Sequence, residues 1–141
     1  MTFDIKMKKR NRFLFAIFTL SVITAGIAFL FRDVHPTIPP FDEARFIQIG
    51  DRDLKRVEIN KEDLGQLRQI IEATKRDRSP MKWAVSGALE LRANGTTIST
   101  IQIFSNPNGP GPLELSDSYY LGYDQASFQK ILNRATPIDR P

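Results

Sequence analysis

Enzymes draw their catalytic groups mainly from His, Cys, Ser, Lys and carboxylate side chains, and this chain offers few of these in a useful arrangement. It has no cysteine and a single histidine, His35. Because His35 falls in a proline-rich stretch ahead of the predicted domain, a Ser-His-Asp or Cys-His arrangement inside that domain is excluded. A zinc site would need carboxylates alone, which is atypical. We therefore predict a protein without catalytic residues, metal or cofactor.

A carboxylate pair and a Ser-Lys dyad are the remaining candidates for catalysis. Glu90 and Glu114 fall on predicted strands, and glycoside hydrolases use two carboxylates. Asp51 and Asp53 form an Asp-x-Asp pair, a pattern that can bind a divalent cation but that is also common in solvated turns. The alternative to a non-catalytic protein is thus a carboxylate-based hydrolase.

One local cluster of cations could contact a partner. It comprises Lys75, Arg76, Arg78 and Lys82. The favourable effect of positive charge at the carboxyl end of a helix is an alternative explanation for these residues.

A cluster of tyrosines is the candidate ligand surface. It comprises Tyr119, Tyr120 and Tyr123, just ahead of the last predicted helix. Tyrosine is enriched in binding surfaces, although it also closes hydrophobic cores with its hydroxyl pointing outward.

The net charge of +4 is unevenly distributed along the chain. Residues 1–32 hold six Lys or Arg and one Asp, a net charge of +5, whereas residues 33–141 hold fourteen Lys or Arg and fifteen Asp or Glu, a net charge of −1. A domain that binds nucleic acid carries positive charge on its own surface. We therefore predict no nucleic-acid partner.

Residues 13–31 read FLFAIFTLSVITAGIAFLF and contain no charged residue and no proline. As a helix this run is about 28 Å long, close to the ~30 Å hydrocarbon core of a bilayer. It predicts a single transmembrane helix, with a cleaved signal peptide as the alternative. Because the cations precede the run, we expect a cytoplasmic amino terminus and an extracytoplasmic domain.

The rest of the sequence predicts one small domain on a tether. The predicted segments are a basic tail (1–12), the transmembrane helix (13–31), a Pro-rich tether (32–43), an α+β domain (44–134) and a frayed tail (135–141).

The spacing of apolar residues predicts an antiparallel sheet of about five strands in the order β-β-α-β-β-β-α, with two helices packed on one face. Strands are expected at 44–50 and 55–59, with Ile47 and Ile49 on one face of the first. A helix capped by Asn60 should end near Lys75, and residues 105–112 read as an exposed loop.

The Asn94-Gly95 pair predicts a hairpin between strands at 82–92 and 97–104. A three-residue loop would pair Val85 with Ile103 and Gly87 with Ile101. The last strand, 113–121, is expected to break near Asp117, and Asp124 should cap the final helix.

Together these patterns predict a bitopic accessory protein of the cell envelope. In this interpretation the extracytoplasmic domain binds another envelope or membrane protein without catalysis. The alternative is a sensor domain for a small ligand or an envelope polymer.

Overall fold

The computed structural model describes residues 3–30, 32–49, 54–77, 84–106 and 109–138. The chain forms two compact units, which divide between Asp33 and Val34. The first contains the helix α1 (Phe3–Leu30). In the described part of the second, the elements in chain order are β1 (Glu43–Ile49), β2 (Leu54–Glu58), a 3-10 turn (Lys61–Asp63), α2 (Leu64–Glu72), β3 (Lys75–Asp77), β4 (Ala84–Ala93), β5 (Thr96–Asn106), β6 (Gly109–Leu115), β7 (Ser118–Leu121), α3 (Gln125–Arg134) and β8 (Thr136–Pro137).

Large apolar side chains are exposed on every side of α1 between residues 14 and 29. The hydroxyls of Thr19, Ser21 and Thr24 each donate to the carbonyl oxygen four residues earlier, at 2.8–2.9 Å. Among the described residues, we find no helix with both the length and the apolarity needed to cross a membrane.

The second unit is an α+β domain with one antiparallel sheet, as the sequence predicts. Its described strands number eight, in the order β3-β7-β6-β5-β4-β1-β2-β8. The predicted total of about five was too low because β3 and β8 are pairings of three and two residues. The segment 113–121 also divides into β6 and β7 at Ser116 and Asp117, close to the predicted break.

One hydrophobic core joins α2, α3 and one face of the sheet, which we call the inner face. Ala44 and Phe46 of β1 lie opposite Leu91 and Leu89 of β4, and all four side chains are buried. The helices contribute Leu67, Ile70, Ile71, Phe128 and Ile131. The other face of the sheet, the outer face, carries the ion pairs Arg45–Glu58 and Arg92–Glu43.

The β4–β5 hairpin has a two-residue turn at Asn94 and Gly95, which have φ values of 51° and 75°. The predicted three-residue loop and its pairings are wrong. Leu91 pairs with Ser99 while Arg92 pairs with Thr97, so the extra residue is Ile98 on β5. This bulge places Leu89 opposite Ile101 and Gly87 opposite Ile103, which brings the buried residues to one face.

The strand β1 presents the face opposite to the one expected. Phe46 is 8% exposed and Ile49 is 46% exposed, and Ile47 lies on the outer face. Both faces of β1 carry apolar residues, so the alternation alone does not show which face is buried. Gly87 of β4 favours burial of the face that carries Phe46, because a residue without a side chain leaves room for the Phe46 ring.

The helix α2 begins and ends inside its predicted bounds. The side chain of Asn60 does not cap it but donates to the carbonyl oxygen of Arg134 at 2.8 Å. The chain leaves the helix after Glu72, and Lys75 then enters β3, so the predicted helical end at Lys75 is wrong.

Both ends of the domain are more ordered than the sequence suggested. Ile38, within the predicted tether, is buried in the core, and Val34 accepts a hydrogen bond from the Arg76 amide at 2.7 Å. Residues 136–137, predicted to fray, form β8 against β2. The predicted loop at 105–112 instead contains the end of β5 and the start of β6, and its Pro112 is fully buried.

Replacing Gly87 by alanine should destabilise the domain by about 1–3 kcal/mol, as overpacking typically does. A Cβ atom there would lie 2.5 Å from Cζ of Phe46, and that ring is held edge-on against Phe128 at a centroid distance of 5.8 Å. Urea unfolding followed by circular dichroism measures the effect.

Gly65→Ala is the matched control. A Cβ atom at Gly65 meets nothing within 4 Å, so alanine there should be neutral or stabilise α2 by up to about 1 kcal/mol. Equal stability of the Gly87→Ala variant and the unmodified chain would contradict this packing.

Candidate functional site

A groove of about 480 Å³ lies between α3 and the part of the inner face formed by β1 and β2. We call it the α3 groove. Its apolar lining includes Phe46, Val57, Ile103, Phe128 and Leu132. Phe128 stands edge-on to Phe46, and Tyr123 stands edge-on to Phe128 at a centroid distance of 5.7 Å. The floor of the groove is therefore the edge of the hydrophobic core.

Polar side chains from two sources line the same groove. Gln48 of β1 and Lys55 of β2 are directly opposite each other, two residues along their strands from the inward-facing pair Phe46 and Val57. Three amide side chains come from α3 at intervals of four residues, which places them along one side of a helix. They are Gln125, Gln129 and Asn133.

Hydrogen bonds fix both ends of α3. At its start Asp124 accepts from the Ser127 amide at 3.0 Å and from the Ser127 hydroxyl at 2.6 Å, as the predicted cap requires. These bonds, the hydroxyl first, lower the pKa of the Asp124 carboxyl. At its end Arg134 pairs at 2.5 Å with Asp63, whose side chain is 7% exposed. The wall of the groove is thus held at two points.

Charge in the α3 groove has one sign. Among the lining residues that the structure describes, none is acidic, and Lys55 is the charged residue on the inner face, since Arg56 pairs with Ile47 on the outer face. A second depression, of about 530 Å³, lies along the β2–β8 edge, where Glu58 and Lys61 both line it and no aromatic residue does. The α3 groove combines an apolar floor, a polar rim and a positive end, as ligand sites usually do.

The structure describes two of the four residues in the predicted cationic cluster. Lys75 and Arg76 are neighbours on β3, and successive side chains of a strand point to opposite faces. Arg78 and Lys82 lie outside the described residues.

The three predicted tyrosines occupy separate surroundings. Tyr119 lies on the outer face with its ring 5.7 Å from that of Phe104, and Tyr120 packs against the core. Tyr123 alone among them lines the α3 groove, and its side chain is buried.

The carboxylates predicted for a hydrolase are separated. Glu90 pairs with Thr100 and Glu114 with Gln102, so the two residues lie on strands that flank β5. From standard sheet spacings their Cα atoms are roughly 12 Å apart. Asp51 and Asp53 lie outside the described residues.

His35 joins the segment before β1 to α2. Its Nδ1 lies 2.8 Å from the carbonyl oxygen of Thr74 and 3.1 Å from that of Glu72. Since both neighbours are acceptors, Nδ1 carries a proton and donates. Arg68 holds the same segment by donating to the carbonyl oxygen of Pro39 at 2.9 Å and by lying 4.9 Å from the centre of the Phe41 ring.

Sequence reasoning named one residue of the α3 groove, Tyr123, and missed its amide side chains and Lys55. One signal was present, since Gln125, Gln129 and Asn133 recur every four residues. A second was the polar position that follows Phe46 on the inner face of β1, which could be recognised only once that face was assigned correctly.

Comparison of the chain with models of known protein families, with curated proteins and with solved structures finds no match.

Burial raises the pKa of Tyr123 above its ordinary value of 10.0. We expect the contribution of Tyr123 to the tyrosinate absorbance to develop above that pH. The Tyr123→Phe variant should lack this contribution. Because the neutral form is favoured in the folded state, its stabilising effect is complete below pH 10 and is lost as the pH rises through the folded pKa. A titration followed by ultraviolet absorbance decides this, and a Tyr123 that ionises at its ordinary pKa would contradict its burial.

Proposed function

We propose that the protein is a single-pass membrane protein whose extracytoplasmic domain binds a partner protein of the cell envelope without catalysing a reaction. The support for the anchor is the uncharged run of residues 13–31 in the sequence. The structure describes the side chains of residues 14–29 within this run. Its large side chains are exposed around the whole helix, as suits contact with lipid on all sides.

The proposed orientation follows from charge. Lys6, Lys8, Lys9, Arg10 and Arg12 precede the run. Positive residues stay on the cytoplasmic side of a membrane, so the domain would lie on the opposite side. Anchoring also raises the local concentration of the domain, which allows a weak contact to be effective.

The α3 groove is the observation that carries the proposed binding role. It has a volume within the range of about 300–1,000 Å³ typical of ligand sites, and its polar lining comes from elements that are held in place by the core. A second candidate is a sensor for a small ligand or an envelope polymer, which the same volume favours. In that case the small ligand or the envelope polymer occupies the groove in place of a protein.

Site-specific photo-cross-linking tests the proposal in the full-length chain within its own membrane. A photoreactive amino acid replaces Gln129 in the groove in one variant and Gln102 on the outer face in the other. Both positions are exposed glutamines on regular elements, so they are matched. We expect a discrete protein adduct from position 129 and none of the same mass from position 102.

Identical adducts from both positions, or no protein adduct from position 129, would contradict a partner protein in the groove. The second result, combined with a rise in melting temperature when an envelope polymer is added, would support the sensor instead.

A further inference from the structure

We infer that the α3 groove selects an extended, acidic peptide segment of its partner. This inference rests on the proposed function and adds the chemical class of the ligand. It depends on three properties of the groove: the sign of its charge, the row of amides along α3 and the apolar floor between them.

The charge of the lining favours an anionic group. Lys55 projects from the inner face beside Gln48, whereas Arg56, which pairs with Ile47, projects from the outer face. Among the lining residues in the described part of the chain none is acidic, so the side-chain charge on the inner face of this lining is that of Lys55. A ligand carboxylate is therefore attracted to the β2 side, and a ligand cation has no counterpart there.

The amides of α3 favour a peptide main chain. An amide side chain offers N–H donors and an oxygen acceptor, which are the complements of a peptide carbonyl and a peptide N–H. Gln129 donates one N–H to Asn133 at 3.0 Å, and its amide has a second N–H and an oxygen beyond that bond. From Gln125 to Asn133 the row extends about 12 Å, which an extended chain covers in about four residues.

The floor favours alternating side chains rather than a flat sugar ring or a free acyl chain. Phe46, Tyr123 and Phe128 are each 7–8% exposed, so little of any ring is open for stacking. An extended peptide places every second side chain on the same side. It can therefore set apolar side chains on the floor while its acidic ones face Lys55.

Three fluorescein-labelled octapeptides test the inference, with the full chain in nanodiscs of neutral phosphatidylcholine. Leucine alternates with glutamate in the first, glutamine in the second and lysine in the third. Fluorescence anisotropy should show that the glutamate peptide binds roughly two- to fivefold tighter than the glutamine peptide, as expected for an exposed charge pair. The lysine peptide should bind most weakly, and high salt should reduce the advantage of glutamate.

Variants separate a local effect from net charge. Lys55→Gln should remove the advantage of glutamate, whereas Lys61→Gln, an equal change of charge outside this groove, should retain it. Gln129→Glu, which places a carboxylate in the groove, should weaken the glutamate peptide most.

Equal binding of the three peptides, an equal loss in Lys55→Gln and Lys61→Gln, or no binding of any peptide would overturn the inference. If the inference fails while position 129 still cross-links a protein, the proposed function stands with a ligand of another class. If cross-linking at that position also fails, both proposals fall.

Discussion

The inner face of the sheet has to be covered, and α2 and α3 are too small to cover all of it. From β3 to β8 the strands span about 34 Å at ~4.8 Å per strand, while the two helices, of nine and ten residues, are about 14 and 15 Å long. The part of the inner face that lies beneath the helices is apolar. Beside α3, where no helix covers the sheet, the inner face carries the polar residues Gln48 and Lys55. The α3 groove is therefore a direct consequence of the sizes of the elements.

The position of α3 determines the shape of this groove, and contacts distant in sequence determine that position. Asp63, at the start of α2, holds Arg134 at the end of α3, and Asn60 binds the carbonyl oxygen of the same arginine. The Asp63 carboxylate is buried whereas the Arg134 side chain is half exposed, so removing Arg134 would leave a buried charge without its partner. The groove thus depends on the same contacts that stabilise the domain.

Local patterns in the sequence were sufficient for the class of fold, the Asn94-Gly95 turn and the Asp124 cap, because neighbouring residues decide each of these. Local patterns did not predict the features that depend on a residue distant in sequence. The face of β1 depends on Gly87 making room for Phe46, and β3 and β8 are too short to be recognised without their partners. The two described cations of the predicted cluster are separated for a related reason. Lys75 and Arg76 are adjacent in sequence but lie on a strand, whereas the groove draws its polar residues from β1, β2 and α3.

The central claim is that the α3 groove is occupied when the protein is in its membrane. Because the chain has no cysteine, Gln129→Cys and Gln102→Cys each introduce a single thiol. The measurement is the rate at which a membrane-impermeant maleimide modifies each variant, in the native envelope and after purification. We predict that the thiol at 129 reacts severalfold more slowly in the envelope than after purification, while the thiol at 102 reacts equally in both. Equal rates at position 129 in the two settings would contradict the account.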